Sequence, residues 1–576
     1  MTKEKMVTLT LNLNTKTSDV AIQDTSKLSL EEKIGGFGKA VHDIEKYLQL
    51  ASSPILDAYD SRNPLCIDLG FLTGTKLMTA RRTVISGLSP LKTSNAGTNG
   101  IFYSTASGDL GPALVKAGLD SIRITGKLDN PSYLVFENGQ VTIEDAKDLV
   151  AKTTQDKIMY LKEKYSDGAF AVIGPAAENM VRYASIAFST SDQLKNGTKN
   201  MRFAGRGGFG AVMASKNILG IVARGDASQD MGKDIGNIVA LNREIGSGDR
   251  TKKYREKGTY FANIRNQNEL GVAIFDNFSR GRDDRAIPLQ KDNLITQGYN
   301  IKDKGCTGCG VRCWKEILSK EGIILGKIDY EPGALLGTNL GIYNIEQTVE
   351  LITMTDEYGL DAISAGNCLG YEMQMQNKLG DFEFAKKTLQ KIIKKEHGLS
   401  EGVKRYSNSA PNAMQTKGIE FPAYLGHFNL GYAFAIAGQH MSMDTYNSWI
   451  YKDSTTQATN TVTEWIENIF RGPQMILYDM NGACKFAKVT FDEVAQLYNN
   501  VYGTNVNAHN MRSVARRVHM LARRIDINQG FNESDDTLPE DCFKEITNSN
   551  APYFNTKEFF EKVKAGVLEE YKNYKF

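Results

Sequence analysis

Three cysteines at C-x2-C-x3-C spacing, Cys306, Cys309 and Cys313, lie among glycines in the stretch Gly305-Cys-Thr-Gly-Cys-Gly-Val-Arg-Cys313. Thiolate sulfur is soft and suits zinc or iron–sulfur, and three thiolates need a fourth ligand. Of the remaining cysteines, Cys66, Cys368, Cys484 and Cys542, only Cys484 sits in a turn signal, Asp479-Met-Asn-Gly-Ala-Cys484. Cys484 is therefore the expected fourth ligand. A distant fourth cysteine fits an iron–sulfur cubane more naturally than a zinc finger, whose ligands come in two close pairs; structural zinc is the alternative. Glycines 305, 308 and 310 let backbone N–H groups turn toward the sulfurs, and such hydrogen bonds tune a cluster's potential.

A second pattern is a pair of similar turns, Asp356-Glu-Tyr-Gly-Leu-Asp361 and Asp479-Met-Asn-Gly-Ala-Cys484. A carboxylate accepts two parallel hydrogen bonds from a planar N–H/NH2 edge such as a guanine or pterin ring presents, and Gly359 and Gly482 permit a close or left-handed turn. Taken singly, each turn reads as a helix C-cap with an incidental aspartate. Two in one chain, the second ending at the expected fourth cysteine, raise a heterocycle site beside the cysteines as the alternative, with the C-cap reading still ahead on these residues alone. The loop Gly205-Arg-Gly-Gly-Phe-Gly, with Arg206, Gly207 and Gly208 and with Lys216 further on, suits phosphate binding. It lacks the Gly-Lys-Ser/Thr of a Walker A loop and, by pattern, the strand-before, helix-after setting of a dinucleotide fingerprint. The stretch from Thr73 ends in Arg81 and Arg82, paired arginines suited to clamping phosphates or bridging them to a cluster. Glu331 precedes an apolar run in which burial would raise its pKa toward a proton-transfer range, and His440 follows an aromatic, glycine-bearing segment. The plain readings of these two are a surface carboxylate and a satisfied core histidine.

These residues need elements to position them. Residues 6–14 alternate apolar and polar as a half-buried strand does, and 133–143 form a hairpin pattern around Asn138-Gly139. Strand-like runs recur at 169–174 and 218–223, with a helix over 29–50. Beyond residue 225 helical periodicity takes over, at 346–358, 382–396, 461–470, 491–502, 508–527 and 556–574. The expectation is an α+β chain: a β-rich N-terminal unit, 1–225, then two mainly helical units, 226–413 and 414–576, divided where Pro411, Pro422 and a polar stretch interrupt the pattern. Arg512, Arg516, Arg517, Arg523 and Arg524 read as a solvated helix face. At 576 residues and 41% hydrophobic the chain can bury several cores, and a net charge of +2 gives no global field for nucleic acid or anionic membrane. Seven cysteines with a clustered triplet suggest a reducing compartment. With no secretory h-region and no bilayer-length apolar run, the expected location is cytoplasmic.

In order along the chain, the Thr73-Gly-Thr to Arg82 to Ser89-Pro-Leu stretch, Gly174-Pro-Ala-Ala-Glu-Asn179, the Gly205–Gly208 loop, the cysteine triplet, Tyr330-Glu331, both aspartate turns, Phe421-Pro-Ala-Tyr424, His440 and Asp535-Asp-Thr-Leu-Pro539 resemble the tungsten-containing aldehyde ferredoxin oxidoreductase family. The resemblance covers nearly the whole chain. It implies a two-sheet base domain and two helical domains enclosing a buried cofactor. That cofactor would be a tungsten (or molybdenum) held by two pyranopterins, with Mg2+ bridging their phosphates and a [4Fe–4S] cluster on Cys306, Cys309, Cys313 and Cys484. Asp356, Gly359, Leu360 and Asp361 would hold one pterin, and Asp479 and Gly482 the other. Arg82 would lie between pterin and cluster, and Gly205, Arg206, Gly207 and Gly208 would face the phosphates. Glu331 would accept a proton and His440 would hydrogen-bond the substrate oxygen.

The implied reaction is oxidation of a small aldehyde to its carboxylic acid, with electrons leaving for ferredoxin or a ferredoxin-like subunit; a homodimer is among the implied assemblies. A family branch catalysing acid or aryl-thioester reduction with a partner electron-transfer subunit is the first alternative, and a non-catalytic iron–sulfur or zinc protein the second. The chain departs from the family's pattern at Glu350-Leu-Ile-Thr353, where many members carry an E-x-x-H interface metal site, and at Leu425-Gly-His427, where Asp-Pro-Arg is usual. It also carries Thr105 and Ala483 at positions where Asn and Leu are common.

Overall fold

The structure, a computed structural model, describes residues 3–227, 238–438, 461–471, 474–549 and 555–576. Two six-stranded sheets make up the N-terminal part. The first runs in the order Thr17–Asp24, Lys5–Asn12, Ser121–Thr125, Leu65–Leu69, Thr83–Thr93, Asn99–Ala106. Its outer strand Thr17–Asp24 faces solvent, whereas every residue of Thr83–Thr93 is buried. That burial comes from cover on both faces: helices Phe37–Leu50 and Ala508–Asn528 pack on this end of the sheet, and the 206–215 segment packs against the same hairpin. The hairpin is the floor on which the site is built.

The second sheet has the order Arg202–Ala204, Ile186–Phe188, Ala169–Ile173, Ile218–Arg224, Ser132–Glu137, Gln140–Asp145. Ala169–Ile173 is apolar and buried throughout, as a strand covered on both sides must be. The Asn138-Gly139 hairpin forms with φ of 49° and 77°, the positive pair that its two-residue turn requires.

The helices expected from periodicity form at Ile345–Tyr358, Phe382–Ile393, Val462–Arg471, Phe491–Tyr502, Ala508–Asn528 and Lys557–Asn573. Three features depart from expectation. The single helix over 29–50 is two, Leu30–Ile34 and Phe37–Leu50, broken at Gly35-Gly36. A Cβ on those glycines would lie 2.3 Å from the Leu69 carbonyl oxygen and 2.5 Å from that of Met480, so the break admits the backbone of the second aspartate turn. The cysteine stretch lies not among helices but in a hairpin connection: Asn300–Lys304, Trp314–Leu318 and Ile324–Ile328 form an antiparallel sheet, and 305–313 joins the first two strands. The first strand, Asn-Ile-Lys-Asp-Lys, is polar and largely exposed, so no hydrophobic period marks it. Finally, Arg523 leaves the solvated face and makes a bidentate pair with buried Asp536.

Candidate active site

The second aspartate turn is held backbone to backbone. Leu72 N donates to Asn481 O (3.0 Å), Arg82 N to Gly482 O (3.0 Å) and Cys484 N to Thr79 O (3.1 Å). A Cβ on Gly70 would lie 2.1 Å from the Asn481 carbonyl carbon, and one on Gly482 (φ 88°) would lie 2.3 Å from Thr73 Oγ1. Glycine is required at both because no side chain fits between the strands of the contact. Asp479 itself is buried and accepts from Tyr103 Oη at 3.1 Å. Burial pushes its carboxyl pKa up, against Arg82, Lys485 and the hydroxyls of Tyr103 and Thr105.

Arg82 joins the two halves of this turn. Its Nη2 donates to Cys484 Sγ at 3.6 Å and its Nη1 to Thr105 Oγ1. Burial works against the guanidinium charge, but Cys484 and Asp479 outweigh it. Thr105, at a position where Asn is common in the family, is thus an acceptor for Arg82.

The cysteines come together from two segments, the 305–313 connection and the second aspartate turn. Burial, with Cys306 and Cys484 as neighbours, pushes the Cys309 thiol up to about 12. Burial and Asp329, with Cys484 and Cys306 further contributing, raise Cys313 well above its ordinary value. Thiols so placed ionise only against compensating positive charge. A second, half-buried cation stands beside them: desolvation opposes the Arg202 charge, while Asp329, Cys306, Cys313 and Cys484 hold it above its ordinary value. Among the described residues, no group of His, Cys, Asp or Glu is spaced for a single metal ion. The loop is pinned from outside by Thr307, whose Oγ1 donates to Asp109 Oδ1 at 2.8 Å, and by Gly310 N, which donates to Met78 Sδ at 3.4 Å. A surface hollow of about 330 Å³ opens over it, lined by Cys306, Cys309, Asp192, Lys304 and Arg312 among others.

The first aspartate turn is built differently. Gly359 (φ 73°) caps Ile345–Tyr358, and its Cβ position lies 2.7 Å from Gly174 N, so the turn docks on the Gly174-Pro175 corner. Asp356 pairs with Lys327 at 2.9 Å; burial raises its pKa and Lys327 opposes the rise. Leu360 bridges to Ala184. Asp361 is the N-cap of Ala362–Met375, accepting from Ile363 N (3.0 Å) and Ser364 N (3.3 Å), with Arg206 Nε 3.6 Å from its Oδ2.

The glycine loop stands in the setting its pattern did not reveal: strand Arg202–Ala204 precedes it and helix Phe209–Ser215 follows. The strand is only three residues long, too short for a periodic signal. Gly207 and Gly208 have φ of 81° and 74°, and Cβ atoms there would meet the Phe102 ring at 2.4 Å and the Arg182 carbonyl oxygen at 1.9 Å. Close packing on the hairpin floor therefore accounts for both glycines. Arg206 donates through Nη2 to the Glu420 carbonyl. Gly205 sits beside Asp361, its Cβ position 3.5 Å from Oδ1.

Glu331 keeps some accessible surface yet is enclosed by protein, at the first turn of Tyr330–Leu335. Burial pushes its pKa up to about 7, against a 2.5 Å hydrogen bond from Ala423 N and the charges of Arg206 and Lys485. His440 lies outside the described residues. Arg202, Lys327 and Tyr103 were not legible as site residues. Arg202 precedes the glycine loop by three positions, and Lys327 and Tyr103 sit mid-strand in apolar runs, so only the fold brings them to the site.

Cysteines gathered beside a buried carboxylate turn and joined to it by an arginine are the layout of a metal-dependent redox protein. The comparisons give the family. "Aldehyde ferredoxin oxidoreductase, N-terminal domain" matches residues 8–225, and "Aldehyde ferredoxin oxidoreductase, domains 2 & 3" matches residues 238–572. The chain belongs to the aldehyde ferredoxin oxidoreductase family. It is 30% identical over 546 residues to the tungsten-containing aldehyde ferredoxin oxidoreductase of Pyrococcus abyssi, covering 87% of this chain and 86% of the relative. It is 28% identical to the WOR-like subunit of an aliphatic sulfonate oxidoreductase of Pyrococcus furiosus, covering 88% and 84%. Among solved structures, the active-site complex BamBC of benzoyl-coenzyme A reductase shares the fold, with a TM-score of 0.77 at 18% identity over 98% of this chain and 94% of that one. Membership makes the chain an oxidoreductase of a tungsten-containing family, which implies a tungstopterin and an iron–sulfur cluster. Among the described residues no helix is long and apolar enough to cross a membrane.

Proposed function

We propose that the protein oxidises aldehydes to carboxylic acids and passes the electrons through a [4Fe–4S] cluster on Cys306, Cys309, Cys313 and Cys484 to ferredoxin or a ferredoxin-like subunit. A tungsten (or molybdenum) bis-pyranopterin, with Mg2+ at its phosphates, would supply the two-electron chemistry when bound. The residues fit such a group: Asp479 is a buried carboxylate and Asp356 a half-buried one, and Arg82 Nε is buried with no hydrogen-bond partner among the described residues. Asp356 with Gly359, Leu360 and Asp361 would hold one pterin, and Asp479 with Gly482 the other. The observation that carries this reading is the Arg82 bridge: one guanidinium lies against Cys484 and beside Asp479, on a single turn.

Oxidation of an aldehyde with water releases two protons with its two electrons, so the site needs a base. Glu331 fills that role. Ala423 N–H occupies Oε2 and leaves Oε1 to take a proton, and a pKa near neutrality lets the carboxylate accept and release it without a large penalty. His440 would hydrogen-bond the substrate oxygen. The face over the cysteine loop, with exposed Arg312 at its rim, is the exit toward the electron carrier. Cytoplasmic location follows from the same reading. An aldehyde panel with a viologen dye as acceptor tests the assignment: turnover with aliphatic or aromatic aldehydes is expected, and none with either class would refute it.

A second reading is a branch member acting on another two-electron substrate, such as a carboxylic acid or an aryl thioester, with a partner subunit as electron carrier. It is favoured by the corner at Leu425-Gly-His427. His427 is buried, its pKa is lowered to about 4 by burial against the pull of Asp541, and its Nδ1 has no hydrogen-bond partner among the described residues. A neutral imidazole thus stands where the resemblance puts arginine, which removes one positive charge from this corner.

A further inference from the structure

Ser364 stands between two buried carboxyl groups. Its Oγ lies 2.8 Å from Asp361 Oδ2 and 2.7 Å from Glu420 Oε2. Both contacts have hydrogen-bond length, and each needs a proton between its oxygens. The serine hydroxyl supplies one. The other must come from one of the carboxyls, and two carboxylate anions sharing one hydroxyl in a buried site would repel each other.

The surroundings decide which group keeps the proton. Asp361 caps a fourteen-residue helix, accepts from the N–H groups of Ile363 and Ser364, and has Arg206 Nε 3.6 Å away. All of these favour its anion. Glu420, fully buried, accepts from Val403 N at 3.1 Å and from its own main-chain N–H. The cations near it bond to other atoms: Arg206 gives Nη2 to the Glu420 carbonyl and reaches the carboxyl only through its charge, and Arg405 gives Nη2 to Thr93 Oγ1 at 2.5 Å. Cys368 and Tyr183, the other titratable neighbours, are buried with their pKa values raised, chiefly by burial, so both are neutral.

We propose that Glu420 is a protonated carboxylic acid that donates to Ser364, which in turn donates to Asp361, so that the chain of hydrogen bonds keeps Asp361 an anion. Burial, the largest influence on Glu420, raises its pKa in the same sense. Glu420 is a positioning residue: the proton stored on it fixes the Ser364 rotor and leaves Asp361 Oδ1, which already accepts from Ile363 N, its second lone pair for a heterocycle N–H edge. The last step rests on the proposed pterin-holding role of Asp361; the proton placement does not.

The test uses the full-length protein as purified. Infrared spectra of wild type and Glu420→Gln at pH 7 are compared in the carboxylic-acid carbonyl region. Loss of one protonated-acid band is expected, because Gln presents an N–H donor to Ser364 where the acid presented O–H. Glu420→Gln is expected to keep the thermal midpoint and pterin content of wild type, whereas Glu420→Ala lowers the midpoint. An unchanged acid band in Glu420→Gln, or a midpoint as low as that of Glu420→Ala, would overturn the proposal. Pterin content in Asp361→Asn reads the other premise separately: full pterin there would remove the heterocycle role of Asp361 while the band result still decides where the proton lies.

Discussion

Glu331→Gln is the substitution whose consequences the structure defines most fully. Gln keeps the shape and can still accept from Ala423 N, but it cannot take a proton. The carboxyl's shift from 4.5 to about 7 corresponds to ~3 kcal/mol at 1.36 kcal/mol per unit. Its sign follows from linkage. With the folded pKa raised above the unfolded one, the stabilisation is fully present below pH 4.5 and is lost as pH rises through about 7. Wild type therefore carries a destabilising ionised Glu331 at pH 8, and Glu331→Gln does not. The variant is expected to match wild type in thermal midpoint at acid pH and to exceed it at pH 8. Its turnover is expected to fall by roughly 10²–10⁴-fold, the usual contribution of a positioned base. In wild type, kcat/KM should rise with pH through an apparent pKa of about 7, and that limb should vanish in the variant's residual activity. Stopped assays of dye reduction across pH 5 to 9, with metal content measured on the same samples, read all of this. A Glu331→Gln protein with full metal content and near-wild-type turnover would refute the base assignment, as would an acid limb that stays in place in the variant.

Other expectations follow from the cysteines and the turn that carries one of them. Cys484→Ser should lose the iron–sulfur visible absorption and most iron while the far-ultraviolet circular dichroism is retained; full iron would remove Cys484 from the ligand set. Gly482→Ala places a Cβ 2.3 Å from Thr73 Oγ1 on a left-handed backbone, which alone costs roughly 1–2 kcal/mol. It should deplete both pterin and cluster, because the one turn serves both, and depletion of neither would show the turn to be tolerant. Arg312→Glu, at the exposed rim of the hollow over the cysteines, should slow reduction of an acidic protein carrier several-fold and leave viologen reduction unchanged. Equal slowing with both acceptors would place the effect inside the enzyme.

Much of the fold was legible because its signals are local. The Asn138-Gly139 hairpin and the amphipathic helices at 346–358 and 508–527 declare themselves through turn chemistry and period. The sheet around the cysteines was not legible, because Asn300–Lys304 is a polar edge strand whose order comes from its partner rather than its own pattern. Helix Ala362–Met375 was hidden by Gly366 and Gly370. These read as breakers in sequence, yet in the fold they admit Leu335 and Asn339 at distances no Cβ would allow. In the site, Cys484 and Asp479 were found because a glycine turn joins them. Arg202 and Lys327 were missed because each acts across the chain, on residues far away in sequence. The glycines at 207 and 208 carried a different message from the one their pattern gave. A glycine loop announces close approach, and here what approaches is the chain itself.

A tungstopterin centre wired through four cysteines has a composition that can be measured. Elemental analysis of the anaerobically purified protein, with electron paramagnetic resonance of the dithionite-reduced sample, tests it most directly. Tungsten or molybdenum is expected together with iron, at about four irons per cofactor metal, with a reduced-cluster signal that Cys484→Ser abolishes. Protein that holds zinc at its cysteines, with neither iron nor tungsten nor molybdenum, would contradict it.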